Sequence, residues 1–229
     1  MIKMEGVTKR FLSKKALDNV DLTLETGKII GLVGENGSGK STTLKLIAGL
    51  NQPTRGKVLV NGRRVDRRIA SQVSYLSELD EYYRFYTVGG MMDFYASQFP
   101  DFDKQKAMAM LSFMKLEKKD KLRNLSKGNR GRFKIVLALS RDVPIILMDE
   151  PLSGLDPMVR DSIVKSLISY IDLERQIVLI TTHEIKEIEM ILDEVIGIKD
   201  GKIIGHHNVE ELRSEKGQGI VEWMTEVYQ

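Results

Sequence analysis

The chain has 229 residues, enough for one domain or for one domain with a subdomain, and its 42% apolar and 29% charged residues predict a buried core. The net charge of +3 is too small to favour a nucleic-acid partner, which needs a strong or clustered basic excess. Cysteine is absent, which excludes disulfides, thiolate metal ligands and a cysteine nucleophile, and the N-terminus lacks the pattern of a signal peptide.

The N-terminal part of the chain predicts a layer of β-strands, then a buried strand and a helix. Strand-forming patterns cover residues 2–7, 20–24 and 58–60, and Asn61-Gly62 is typical of a tight turn. Residues 29–33 are apolar throughout, as in a strand buried on both faces of a parallel sheet. Residues 41–50 predict a helix. No apolar run approaches the roughly 20 residues that a membrane-spanning helix needs.

The remainder of the chain predicts further strands with helices between them. Residues 145–148 and 177–180 are two more apolar strands, each followed by a helical stretch, which indicates an α/β fold with a parallel sheet. Residues 82–142 lack strand-like runs, and apolar residues at 107, 110, 111 and 114 behind a capping Asp103 predict a helix over 103–116. The spacing of apolar residues near the C-terminus predicts a last packing helix. We therefore predict one domain over 1–229, with a core of about 1–81 and 143–229 and an inserted helical subdomain of about 82–142.

A glycine-rich segment after the strand at 29–33 fits the phosphate-loop pattern G-x-x-x-x-G-K-[ST]. Glycines let the backbone approach an anion, which the N–H groups of the loop and of the next helix can bind. Lys40 supplies a positive charge for the β- and γ-phosphates, and the Ser41 hydroxyl is a hard oxygen ligand for Mg²⁺. The predicted nucleotide-binding residues here are Gly34, Glu35, Asn36, Gly37, Ser38, Gly39, Lys40, Ser41 and Thr42.

Two acidic residues, Asp149 and Glu150, follow the strand predicted at 145–148. They lie at the carboxyl end of that strand, where open α/β sheets bind ligands. We expect Asp149 to reach the Mg²⁺ shell and Glu150 to polarise the attacking water as a general base. Together with the phosphate loop, this pair predicts a nucleoside triphosphatase.

Kinases, GTPases and helicases all share the phosphate loop, so other motifs are needed to identify the class of triphosphatase. The absence of an N-K-x-D segment weakens the GTPase interpretation. With these motifs, essentially the whole chain resembles the ATP-binding-cassette (ABC) transporter ATPases. The resemblance is carried by Phe11, by the phosphate loop, by Leu125-Ser126-Lys127-Gly128-Asn129, by the acidic pair, by Ser153-Gly154-Leu155-Asp156-Pro157 and by Thr181-Thr182-His183.

The resemblance implies a P-loop NTPase fold, with a RecA-like core, an N-terminal antiparallel β layer and an inserted helical subdomain. It implies ATP and Mg²⁺ as ligands. Phe11 would stack on adenine, His183 would contact the γ-phosphate and hold the catalytic carboxylate, and Asp156 would belong to the nucleotide-binding set. Ser126 and Gly128 of one copy would complete the site of another copy in a head-to-tail dimer, in which hydrolysis lets the copies separate.

Three positions depart from the family pattern. Glu78 stands where a glutamine is usual, and it could still contact Mg²⁺ while adding negative charge. In the family's signature segment, to which residues 125–129 correspond, Lys127 and Asn129 replace the first glycine and the glutamine, whereas Ser126 and Gly128 are retained. Glu78 and the Leu-Ser-Lys-Gly form resemble the branch that serves ABC-2-type bacterial exporters of peptides, antibiotics or lipids.

The resemblance also implies partners and a location. The expected partners are an integral-membrane permease and a second cassette, identical or paralogous, and the expected location is the cytoplasmic face of a bacterial membrane. One alternative is a permease-free ABC-type ATPase that works on DNA, ribosomes or Fe–S assembly, although the long coiled coils, tandem cassettes or cysteines usual there are not visible. A second alternative is a non-hydrolysing interaction module, which the intact acidic pair disfavours.

Overall fold

The computed structural model describes residues 1–78, 85–183, 185–216 and 219–228. Its strands are β1 (Ile2–Phe11), β2 (Lys14–Leu24), β3 (Lys28–Val33), β4 (Arg55–Val60), β5 (Arg63–Arg64), β6 (Val73–Leu76), β7 (Ile145–Asp149), β8 (Ile177–Thr182), β9 (Glu194–Lys199) and β10 (Lys202–Asn208). Its helices are α1 (Lys40–Ile47), α2 (Val88–Gln98), α3 (Lys104–Phe113), α4 (Lys127–Leu139), α5 (Pro157–Tyr170), α6 (Val209–Lys216) and α7 (Ile220–Tyr228).

The strands form two sheets. The first is antiparallel, with the order β2-β1-β4-β5, which confirms the predicted N-terminal β layer. Asn61 and Gly62 join β4 to β5 with φ of 48° and 76°, the left-handed geometry that two-residue hairpins need. The second sheet has the order β10-β9-β3-β8-β7-β6 and is parallel except for β10 at its edge. It confirms the α/β class and the three predicted apolar strands.

The parallel sheet lies between two hydrophobic clusters, which explains why its strands are apolar throughout. In β3, Ile30 and Leu32 pack with the antiparallel sheet and α1, whereas Ile29 and Val33 pack with the helices on the other face. Successive side chains of a strand point to opposite faces, so a strand covered on both sides needs apolar residues at every position. This packing brings the carboxyl ends of β3, β7 and β8 to the same edge of the sheet.

The middle of the chain is helical, as predicted. The predicted helix over 103–116 is α3, and the Asp103 carboxylate caps it by accepting the backbone N–H groups of Gln105 and Lys106 at 2.8 and 2.9 Å. Its predicted apolar stripe, residues 107, 110, 111 and 114, is buried. Helices α2, α3 and α4 lie between β6 and β7, and the part of 82–142 that the structure describes contains isolated bridges but no strand. The predicted boundary at 81 and 82 lies outside the described residues, and the division into core and subdomain stays a prediction.

Two helical predictions differ from the structure. Helix α1 ends at Ile47 instead of residue 50, because Gly49 takes a φ of 70° and Leu50 N–H bonds back to the Lys45 carbonyl at 2.9 Å. Between β8 and β9 the described residues form 3₁₀ turns (Ile185–Glu187 and Glu189–Ile191) and no α-helix. A three-residue spacing of Ile185 and Ile188 places both side chains on one buried face of such turns. The predicted C-terminal helix is confirmed as α7. No helix in the described ranges has the length and apolar character to span a bilayer.

Candidate active site

The phosphate-loop segment connects β3 to α1 and packs tightly against β2. Gly39 precedes the helix with a φ of 119°, in the region that favours glycine. A Cβ atom there would lie 2.7 Å from the Ala16 carbonyl oxygen and 2.8 Å from a methyl of Leu17, so no side chain fits. The glycine therefore lets the loop approach β2 closely. The first N–H groups of α1, like those of any helix, have no partners within the helix, as an anion site requires.

Lys40 is buried at the start of α1, with 5% of its side chain exposed. Its Nζ donates to the carbonyl oxygens of Gly34 and Glu35 at 2.7 and 3.2 Å. The same atom lies 3.4 Å from Glu150 Oε1. The ammonium group of Lys40 thus contacts Glu150, which follows β7. The phosphate loop and the acidic pair therefore form one site.

Asp149 ends β7 and accepts hydrogen bonds from three hydroxyl groups. Ser41 Oγ and Thr181 Oγ1 each donate to its Oδ1 at 2.9 Å, and Tyr75 Oη donates to its Oδ2 at 3.1 Å. Burial, and then the charge of Asp149, raise the pKa of the Tyr75 phenol, which keeps it a donor. The adjoining hydroxyl of Ser41 and carboxylate of Asp149 are hard oxygen groups, and this donor set suits Mg²⁺.

Glu150 has an uncommon backbone conformation, with a φ of 49°. A non-glycine residue adopts this region only where its surroundings hold it. Its backbone N–H donates to Thr181 Oγ1 at 3.0 Å, and its Oε2 lies 2.8 Å from His183 Nδ1. With Lys40 at Oε1, the carboxylate is held from both sides and only 8% exposed.

These groups meet in a cavity of about 530 Å³. Phe11, whose side chain is 45% exposed, lines it together with Glu78, Glu150 and His183. The remaining lining residues are Lys14, Ala16, Asn36, Gly37, Gly39, Lys40, Ser41, Thr42 and Ser153. Most of the nucleotide-binding and catalytic residues proposed from the sequence thus share one cavity, which is lined by an exposed aromatic ring as well as by the phosphate loop.

Some predicted residues lie elsewhere. Gly34 and Glu35 line a neighbouring cavity of about 580 Å³ between the loop and α7, and His183 lines both cavities. Ser38 is buried in the loop, and its Oγ has no hydrogen-bond partner in the described part of the chain. Asp149 does not line the cavity at Phe11, but it accepts a hydrogen bond from Ser41, which does.

Two helix N-termini position the signature residues Ser126 and Gly128 and, from a separate segment, Asp156. Ser126 caps α4, and its Oγ accepts the Asn129 N–H at 3.2 Å. Asp156 caps α5, and its Oδ1 accepts the Val159 N–H at 3.0 Å. Gly128 lies against α5, because a Cβ there would be 2.8 Å from a methyl of Val159 and 3.6 Å from Asp156 Oδ2. These three residues come together within one chain, but they do not line the cavity at Lys40.

Three contacting residues were missed by the sequence analysis as site residues. Tyr75 and Thr181 bond to Asp149 from the strands on either side of β7, and Lys14 lines the cavity from β2. The available signal for Thr181 was a polar residue at the carboxyl end of an otherwise apolar strand. Nothing local distinguishes Tyr75 or Lys14 from ordinary strand residues.

Comparison with known proteins agrees with this geometry. The family model described as ABC transporter matches residues 17–153. The Nod factor export ATP-binding protein I of Ralstonia nicotianae is 31% identical, over 97% of this chain and 72% of that protein. The methionine import ATP-binding protein MetN of Corynebacterium glutamicum is 32% identical, over 93% of this chain and 64% of that protein.

A solved structure of an ATP-binding cassette, MJ0796, is also similar. It is a dimeric post-hydrolysis state bound to ADP and phosphate. The identity is 25%, the TM-score is 0.79, and the match covers 91% of this chain and 98% of that one. The fold is therefore that of a cassette whose solved state carries the products of ATP hydrolysis.

Proposed function

The chain belongs to the ABC transporter family and is an ABC-type ATPase, and from this premise we propose that it powers a membrane-spanning exporter subunit at the cytoplasmic face of a bacterial membrane. The observation that carries the proposal is the cavity that Lys40, Glu150 and His183 line together with the exposed ring of Phe11. It offers a cation for phosphates, a held carboxylate for water, and an aromatic face for a base.

ATP binding would begin with an exchange of partners at Lys40. In the structure its ammonium group is held by two carbonyl oxygens and by Glu150 Oε1. The β- and γ-phosphates, with their higher charge, would take over these contacts, while adenine stacks on Phe11. The exchange releases Oε1 of Glu150 at the moment when the γ-phosphate arrives beside it.

Glu150 would then act as the general base for the attacking water. Its other oxygen stays bonded to His183 Nδ1, so the carboxylate keeps its orientation while Oε1 faces the water. We expect the opposite ring nitrogen of His183 to donate to the γ-phosphate. Ser41, Asp149 and Glu78 would hold Mg²⁺, which supplies charge neutralisation on the phosphate oxygens.

We propose that the active form is a head-to-tail dimer of cassettes. Ser126 and Gly128, at the N-terminus of α4, form a second anion-binding corner, yet they lie outside the cavity of their own chain. A second copy related by a two-fold axis can bring its own corner to that cavity, which makes the site complete. The partner cassette is an identical chain or a paralogue.

Mixing two inactive variants tests this sharing of residues. Lys40→Ala and Ser126→Ala each damage a different half of a shared site, so each variant alone should lose most phosphate release. In a mixed dimer one site combines both lesions and the other is intact. An equimolar mixture, half of it mixed dimers, should recover about a quarter of the wild-type rate. A mixture no more active than its components would contradict the dimer, provided that both variants stay folded.

The membrane partner and the direction have their own tests. An integral-membrane protein should co-purify with the chain from detergent-solubilised membranes, and its absence would favour the permease-free alternative. Export is supported by Glu78, by Lys127 in the signature and by the Nod factor relative, whereas the MetN relative favours import as a second candidate. ATP-driven accumulation of cargo in inverted membrane vesicles, and none in right-side-out vesicles, would support export.

A further inference from the structure

Thr181 contacts both acidic residues of the site through one hydroxyl group, and we propose that it is a positioning residue for ATP hydrolysis. Its Oγ1 donates to Asp149 Oδ1 at 2.9 Å and accepts the backbone N–H of Glu150 at 3.0 Å. The side chain is fully buried, so water does not replace these bonds. The inference rests on the proposed ATPase site and adds a residue to it.

The register of the sheet places this hydroxyl. Strands β7 and β8 run parallel, and Asp149 is paired with Thr181. Paired residues of neighbouring strands point to the same face, whereas the next residue, Thr182, points to the other face. The register therefore places Thr181, and not Thr182, on the face of the sheet that carries the Asp149 side chain.

The contact matters because the Glu150 backbone is in a left-handed conformation that needs support. The bond to Thr181 holds its N–H group, and with it the start of the turn that aims the carboxylate at Lys40 and His183. Without the hydroxyl, the buried N–H loses its acceptor and the turn relaxes. The contacts of Lys40 with the phosphate loop do not involve Thr181, so the loss should affect catalysis more than nucleotide affinity.

Thr181→Val and Thr181→Ser separate the hydroxyl from the shape of the side chain. Valine keeps the volume and removes the hydroxyl, and kcat should fall about 10- to 100-fold, the range for an unsatisfied buried donor. Serine keeps the hydroxyl, and kcat should stay within about threefold of wild type. Binding of a fluorescent ATP analogue in EDTA should be the same in all three proteins.

Amide exchange of the nucleotide-free chain, followed by NMR, gives a readout that needs no ATPase activity. The Glu150 amide should be protected in the wild type and in Thr181→Ser, and should exchange faster in Thr181→Val. Tyr75→Phe is the matched control, because it removes a hydroxyl from Asp149 but leaves the Glu150 bond, so the amide should stay protected.

Unchanged kcat in Thr181→Val, an equal loss in Thr181→Ser, or a Glu150 amide that stays protected in Thr181→Val would each overturn the proposal. A wild-type chain that releases no phosphate would instead refute the proposed function, while the amide measurement would still decide whether Thr181 holds Glu150.

Discussion

Replacing Lys40 by alanine should weaken ATP binding strongly, and the structure sets the size of the effect. The side chain is 5% exposed, so solvent screens its contacts little. The carbonyl bonds and the Glu150 ion pair would be exchanged for phosphate contacts, so the net loss on removal is about one charge-assisted contact. Such a contact contributes about 1.5–3 kcal/mol. The dissociation constant for ATP should therefore rise about 10- to 150-fold.

Titration of the protein with a fluorescent ATP analogue measures this change. Lys45→Ala is the matched control, since it removes the same charge from the same helix but lies outside the cavity at Phe11. It should bind the analogue as the wild type does, and thermal unfolding should show both variants folded. A folded Lys40→Ala chain with wild-type affinity would refute the assignment of the phosphate site.

Two further expectations follow from the ion pairs of the structure. Glu150→Gln should accumulate an ATP-bound dimer, because water activation is lost and the Glu150 carboxylate no longer competes with the phosphates for Lys40. Light scattering that shows only monomers at saturating ATP would contradict the dimer mechanism. Burial raises the pKa of Glu194, but its hydrogen bonds with Lys28 and His206 outweigh burial and hold that pKa below the ordinary 4.5. A lowered pKa stabilises the fold above pH 4.5 and loses that effect as the pH falls through the folded value, so Glu194→Gln should lower the melting temperature at pH 7, with a difference that shrinks in acid.

Patterns within short segments of the sequence predicted much of the fold. The apolar run of β3, the capping Asp103 and the Asn61-Gly62 turn are visible in the sequence because each depends on neighbours a few residues away. The sequence did not predict the end of α1, because the positive φ of Gly49 cannot be recognised from a glycine inside an apolar pattern. The 3₁₀ turns after β8 were missed for a related reason, since a spacing of three residues also fits an α-helix.

By itself, the sequence determined which residue types supply the chemistry: a phosphate loop, an acidic pair and a following histidine, each set by local order along the chain. Only the tertiary structure decided that Lys40 pairs with Glu150, that Thr181 and Tyr75 hold Asp149 from the two flanking strands, and that Ser126 lies outside its own cavity. The physical reason is that such contacts depend on strand order and register, which arise from packing both faces of the sheet across residues far apart in the chain.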